Sequence, residues 1–108
     1  SVGGDFYCYW NQLTTLEGCP QSVGGYFDCS YNQLKDFKGF PEFYEGKINF
    51  TNNPVQKILD LFPEDQWCRA IYLINDFGAI QNGKIVEERM EAVFKQMNLE
   101  IPEKIYTL

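Results

Sequence analysis

The chain of 108 residues contains no histidine. A Ser-His-Asp triad, a histidine general base and a histidine-ligated metal are therefore excluded. It has no apolar run of the ~18 to 20 residues that cross a bilayer, so a membrane is not an expected partner. No basic stretch followed by an apolar one forms a leader pattern in these residues. Lys and Arg number nine against fifteen Asp and Glu, giving a net charge of −6. With no cluster of bases to neutralise phosphates, nucleic acid is not an expected partner either. Neither phosphate-binding glycine motif, G-x-x-x-x-G-K-[ST] nor G-x-G-x-x-G, occurs. The four cysteines, Cys8, Cys19, Cys29 and Cys68, lie 11, 10 and 39 positions apart, unlike the paired spacing of metal ligands. No metal, no cofactor and no catalytic residue is expected.

What the chain does have is aromatics, at 17% of residues within 44% hydrophobic residues. That excludes a disordered chain and fits one small domain. It also repeats itself every 21 residues. Ser1-Val2-Gly3-Gly4 recurs as Ser22-Val23-Gly24-Gly25, Phe6 as Phe27, Cys8 as Cys29, and Asn11-Gln12-Leu13 as Asn32-Gln33-Leu34. Gly18 and Pro20 recur as Gly39 and Pro41, and a third, degraded copy places Ile48, Phe50, Asn53 and Val55 at the same offset. In each copy two apolar residues two apart point to one side of a short strand. The Asn series, Asn11, Asn32 and Asn53, then turns the chain, each amide satisfying backbone groups that the turn leaves bare. Leu16, Cys19, Phe37 and Phe40 supply an apolar back wall, and Gly18 and Gly39 permit tight bends.

The pattern Phe6-x-Cys8-x-x-Asn11-x-Leu13 and its copies resemble the leucine-rich repeat of the short, Pro-containing bacterial type. The phrase S-V-G-G-x-F-x-C-x-x-N-Q-L followed by Gly-x-Pro is similar to repeats in proteins of large tailed bacteriophages. The Gly-Gly pair departs from the bacterial type, giving 21 residues where 20 is usual. The resemblance implies an α/β fold: a short leucine-rich-repeat solenoid with a parallel sheet over residues 1–62. The remainder, residues 63–108, is expected to be a helical C-terminal cap. The repeats imply an array that starts earlier, so the chain is expected to be a fragment lacking N-terminal repeats.

In the tail, Asn53-Pro54 reads as a helix start with Asn as N-cap. Pro63-Glu64-Asp65 opens a second helix, with Trp67, Ala70, Ile71, Ile74 and Phe77 on its apolar face. Asp76, Gly78, Asn82 and Gly83 mark a break. A third helix is expected over residues 86–97, and residues 101–108 can be extended. A rival reading makes Ala70-x-Tyr72-x-x-Asn75-x-Phe77 a fourth repeat.

Cys8 and Cys29 share a repeat position and are expected as neighbours in a ladder of buried, reduced thiols. From that follow no disulfide and a cytoplasmic location, that of the host cell if the chain is phage-encoded. Residues between core positions must face away from the core. They are Asp5, Tyr7, Tyr9 and Trp10 in copy one, Tyr26, Asp28, Ser30 and Tyr31 in copy two, and Lys47, Asn49, Thr51 and Asn52 in copy three. Tyr7, Tyr9, Trp10, Tyr26, Asp28, Tyr31 and Asn49 are the candidate binding residues, because Tyr and Trp bury much area at low entropy cost. The expected function is non-catalytic binding of a protein partner through this concave aromatic face. Three alternatives stand beside it. They are carbohydrate binding, service as the substrate-recognition arm of an enzyme whose catalytic part is absent, and mimicry of nucleic acid by acidic surface.

Overall fold

Three strands of two residues carry the repeat: β1 Phe6–Tyr7, β2 Phe27–Asp28 and β3 Ile48–Asn49. They form one parallel sheet in the order β1-β2-β3. Its register pairs Phe6 with Phe27 and Phe27 with Ile48, so each step across the sheet is one 21-residue repeat. The computed structural model describes residues 3–42, 44 and 46–103.

One face of the sheet makes the core. Phe27 sits at its centre, fully buried, with ring centroids 5.1 Å from Phe6, 4.9 Å from Phe40 and 6.2 Å from Phe50. Phe37 meets Phe50 edge to face at 5.4 Å, so the back wall closes on the strands through aromatic rings. The Asn series links the repeats. Asn32 Nδ2 donates to the Cys8 and Cys29 carbonyls at 3.0 Å each, and its Oδ1 accepts from the Leu13 amide at 3.0 Å. Asn53 does the same one repeat on, donating to the Cys29 and Phe50 carbonyls and accepting from the Leu34 amide. Each amide thus ties its own turn to the preceding one.

That use of Asn53 corrects the expectation of a helix cap. Its side chain is spent in the ladder, the short helix α1 Gln56–Leu59 has Val55 at its N-cap, and no side chain caps it. After a 3₁₀ turn at Glu64–Gln66, helix α2 spans Trp67–Phe77. The rival fourth repeat is therefore not formed: Asn75 lies on α2 and donates to the Phe37 carbonyl at 2.9 Å, tying helix to repeats. The expected break after α2 is a hairpin, β4 Ile80–Gln81 with β5 Lys84–Ile85, antiparallel. Asn82 and Gly83 form its two-residue turn with φ of 52° and 71°, the left-handed pair that an Asn-Gly hairpin needs. Helix α3, Glu87–Gln96, lies within the expected span, with Glu87 and Glu88 in its first turn and Lys95 in its last. It packs on α2, and Phe94 stacks on Phe62 at 4.3 Å. Residues 101–103 form no strand, and residues 104–108 of the expected extension lie outside those described. The whole is a mixed α/β domain with a three-stranded parallel sheet and helices. No helix among the described residues is long and apolar enough to cross a membrane.

The cysteines require a second correction. Cys8 and Cys29 are joined by a disulfide, not held as reduced thiols. The reason is sheet spacing: equivalent residues on paired strands have Cα atoms 4.9 Å apart, within the span that a disulfide bridges. A cytoplasmic location inferred from reduced cysteines loses that support. Cys19 turns its thiol to the Gly39 carbonyl at 2.9 Å, and burial pushes its pKa up.

Candidate functional site

The face of the sheet turned from the core is aromatic at its β1 end. Tyr7 is 53% exposed, Tyr9 46%, Trp10 70% and Tyr31 42%. Tyr7 contacts Tyr9 and Tyr26 edge to face, with centroids at 5.8 and 6.1 Å. Trp10 and Tyr31 lie flat on each other, 4.2 Å apart and 5° from parallel. Tyr26 is half-buried, and Asp28 and Asn49, also half-buried, continue the outward row toward β3.

Sequence reasoning placed all seven candidate residues on this face by strand alternation. Alternation holds for Tyr7, Asp28 and Asn49, which occupy the same register position. It is not what displays Trp10 and Tyr31. Their backbones are left-handed, with φ of 60° and 58°, as is Asn52 one repeat later at 59°. The turn before each ladder Asn aims these side chains outward. Ser30, also expected outward, is instead buried.

The polar groups around the aromatics bond to their neighbours. Asp28 Oδ1 accepts from the Ser30 amide at 3.0 Å and its hydroxyl at 2.7 Å, and Asn49 Oδ1 does the same for Thr51. Asp5 Oδ1 accepts from the Tyr26 amide at 2.7 Å and its Oδ2 from the Tyr7 hydroxyl at 2.9 Å. The Tyr26 amide chiefly, and the Tyr7 hydroxyl next, hold the Asp5 carboxyl below its ordinary pKa. The same carboxylate holds the Tyr7 phenol up.

Tyr44 was missed at the sequence level, because it lies outside the repeated positions. Its hydroxyl donates to the Gly25 carbonyl and to that of Lys47 at 2.7 Å, bridging two turns. Its ring packs on Phe27 and Phe40, and burial pushes its phenol pKa up. It walls a cavity of about 430 Å³ with Val23, Gly24, Gly25 and Tyr26. Among the described residues no group of three or more Cys, Asp or Glu side chains is placed to hold a metal ion.

No family model, curated protein or solved structure matches the chain.

Proposed function

We propose that the chain is a short leucine-rich-repeat solenoid with a helical cap that binds a protein partner, without catalysis, through its outward aromatic face. The resemblance to phage repeats makes a host or phage protein the first partner to seek.

One observation carries the reading. A left-handed backbone suits Gly or Asn and costs other residues about 1 to 2 kcal/mol. The third copy uses Asn52 there, yet the first two use Trp10 and Tyr31. Their stacking returns about 0.5 to 1.5 kcal/mol, and the rings still face solvent. Large rings held in a costly backbone state and left exposed point to use rather than to folding. Sugars also stack on such rings, but need convergent polar groups beside them. Here Asp5, Asp28 and Asn49 are engaged in local bonds, which favours a protein surface.

Affinity capture from phage-infected cells tests the proposal. The native chain should retain a partner that the Trp10→Ala, Tyr31→Ala double variant loses, the loss amounting to several kcal/mol of affinity. Glu87→Ala and Glu91→Ala on α3 should leave capture unchanged. A partner kept by the aromatic variant and lost by the α3 variants would place the interface on the helices. Binding of a sugar on a glycan array, lost in the aromatic variant, would support the carbohydrate alternative.

A further inference from the structure

Asp28 stands at the centre of the outward face, with Tyr7 beside it on β1 and Asn49 beside it on β3. Tyr26 precedes it on the same side of β2, its ring 6.1 Å from that of Tyr7. These residues lie on the face of the sheet and not at its edge, so a further repeat would extend the surface without covering it. Asp28 carries a charge that its local bonds do not use. Its Oδ1 accepts from the Ser30 amide at 3.0 Å and the Ser30 hydroxyl at 2.7 Å. One repeat later the neutral Asn49 accepts from the Thr51 amide and hydroxyl at the same two distances. An amide therefore serves the turn, and the carboxylate adds only charge. Among the described residues nothing neutralises it: the one ion pair joins Lys38 to Glu17 at 3.2 Å. Asp5 too is held by neutral donors, the Tyr26 amide and the Tyr7 hydroxyl. The Tyr7 phenol registers both acids. Its pKa is held up first by the bond to Asp5, then by partial burial and by the charges of Asp5 and Asp28. Residues 1–34 contain three acids, Asp5, Glu17 and Asp28, and no Lys or Arg. Lys47, in the β3 row beside Tyr26, is the only base among the outward residues.

We infer that Asp28 and the rings beside it, Tyr7 and Tyr26, receive an arginine side chain of the protein partner. This rests on the partner-binding reading and names the chemistry of its central contact. A guanidinium answers each part of the site. Its charge meets the carboxylates of Asp28 and Asp5, and its flat face lies against a phenol ring. Its donors reach Asp28 Oδ2, because the bonds from Ser30 both fall on Oδ1. A lysine ammonium is more strongly hydrated and has no flat face to stack. An acidic or phosphate-bearing partner would meet like charge here. A second copy presenting the same face would set acid against acid.

The probe is a short blocked peptide with one arginine flanked by serine and glycine. The same peptide is made with lysine, and with citrulline, the neutral counterpart of arginine. Titrated into the intact chain, the arginine peptide should shift the Tyr7 and Asp28 amide resonances. Its own δ-methylene protons should move upfield, as protons held over a ring do. The citrulline peptide should bind about tenfold more weakly, and added salt should weaken the arginine peptide. Asp28→Asn should also weaken it about tenfold. That variant keeps the acceptor for Ser30, as Asn49 does for Thr51, and an unchanged melting temperature checks that the fold is intact. Glu17→Gln removes an equal charge at the bend, where Glu17 pairs with Lys38, and should leave binding unchanged. Equal binding of the arginine and citrulline peptides, or no effect of Asp28→Asn, overturns the inference. So does equal binding of the lysine peptide, which would show that charge alone is read, or an equal loss in Glu17→Gln, which would show that net charge alone attracts the peptide. If the arginine peptide fails to bind while partner capture still depends on Trp10 and Tyr31, the aromatic face stands and only the arginine contact falls. If the peptide binds as described while capture ignores those rings, the partner reading itself fails.

Discussion

Asn32 shows how much one side chain carries. It is buried, and its amide donates to three carbonyls while its oxygen accepts from the Leu13 amide. Asn32→Ala strands these groups in a place water does not reach, and should destabilise the fold by roughly 1 to 3 kcal/mol. A melting temperature unchanged within error would remove the ladder from the account. Asp5 is the pH-sensitive residue of the same region. Its folded pKa is lowered, so the stability it contributes is present above its unfolded pKa of about 3.9 and is lost as pH falls through the lower folded value. The Tyr26 amide resonance should therefore titrate with a midpoint below that of an ordinary Asp. Asp5→Asn, which cannot titrate, should abolish that transition.

At the scale of elements, the two equivalent bends separate backbone strain from crowding. Gly18 and Gly39 have φ of 89° and 96°, which only glycine adopts cheaply. A Cβ on Gly18 meets nothing, whereas one on Gly39 lies 2.4 Å from the Leu16 backbone of the preceding repeat. Gly18→Ala should cost about 1 kcal/mol, the strain alone. Gly39→Ala should cost at least about 2 kcal/mol more, because backbone must move to admit the methyl group. Equal losses in urea unfolding would show that the repeats are not packed this closely.

For the whole molecule, the disulfide and the aromatic face decide what joins the first repeat to the rest. Denatured but unreduced chain should titrate two thiols, and four after reduction. Opening a link between residues 21 apart should lower stability by about 3 kcal/mol. Four thiols before reduction would return Cys8 and Cys29 to the buried pair that spacing alone implied. The double variant Trp10→Asn, Tyr31→Asn imitates the third repeat. Strain relief at two positions, about 1 to 2 kcal/mol each, outweighs the about 0.5 to 1.5 kcal/mol of stacking lost, so its stability should not fall below that of the native chain while partner affinity falls. A large loss of stability instead would make those rings part of the scaffold.

The parallel sheet was what the repeat resemblance implied; the 21-residue period itself determined which residues stand opposite one another, the core positions Phe27 and Phe50, and the ladder of Asn32 and Asn53, because a strand's facing alternates locally and a repeated turn poses the same backbone problem each time. Helices α2 and α3 followed from apolar spacing and acidic starts. Asn82-Gly83 was read only as a break, because the strands flanking it are two residues long and leave little alternation to reveal a hairpin. Other features needed the third dimension. The period placed Cys8 and Cys29 side by side, but only the positions of their sulfur atoms decided between neighbouring thiols and a bond. Asn53 could satisfy either a helix end or a ladder, and packing against Cys29 chose the ladder. Trp10 and Tyr31 were legible as outward residues, yet their left-handed turns and flat stack exist only because a neighbouring repeat sets the distance between the rings.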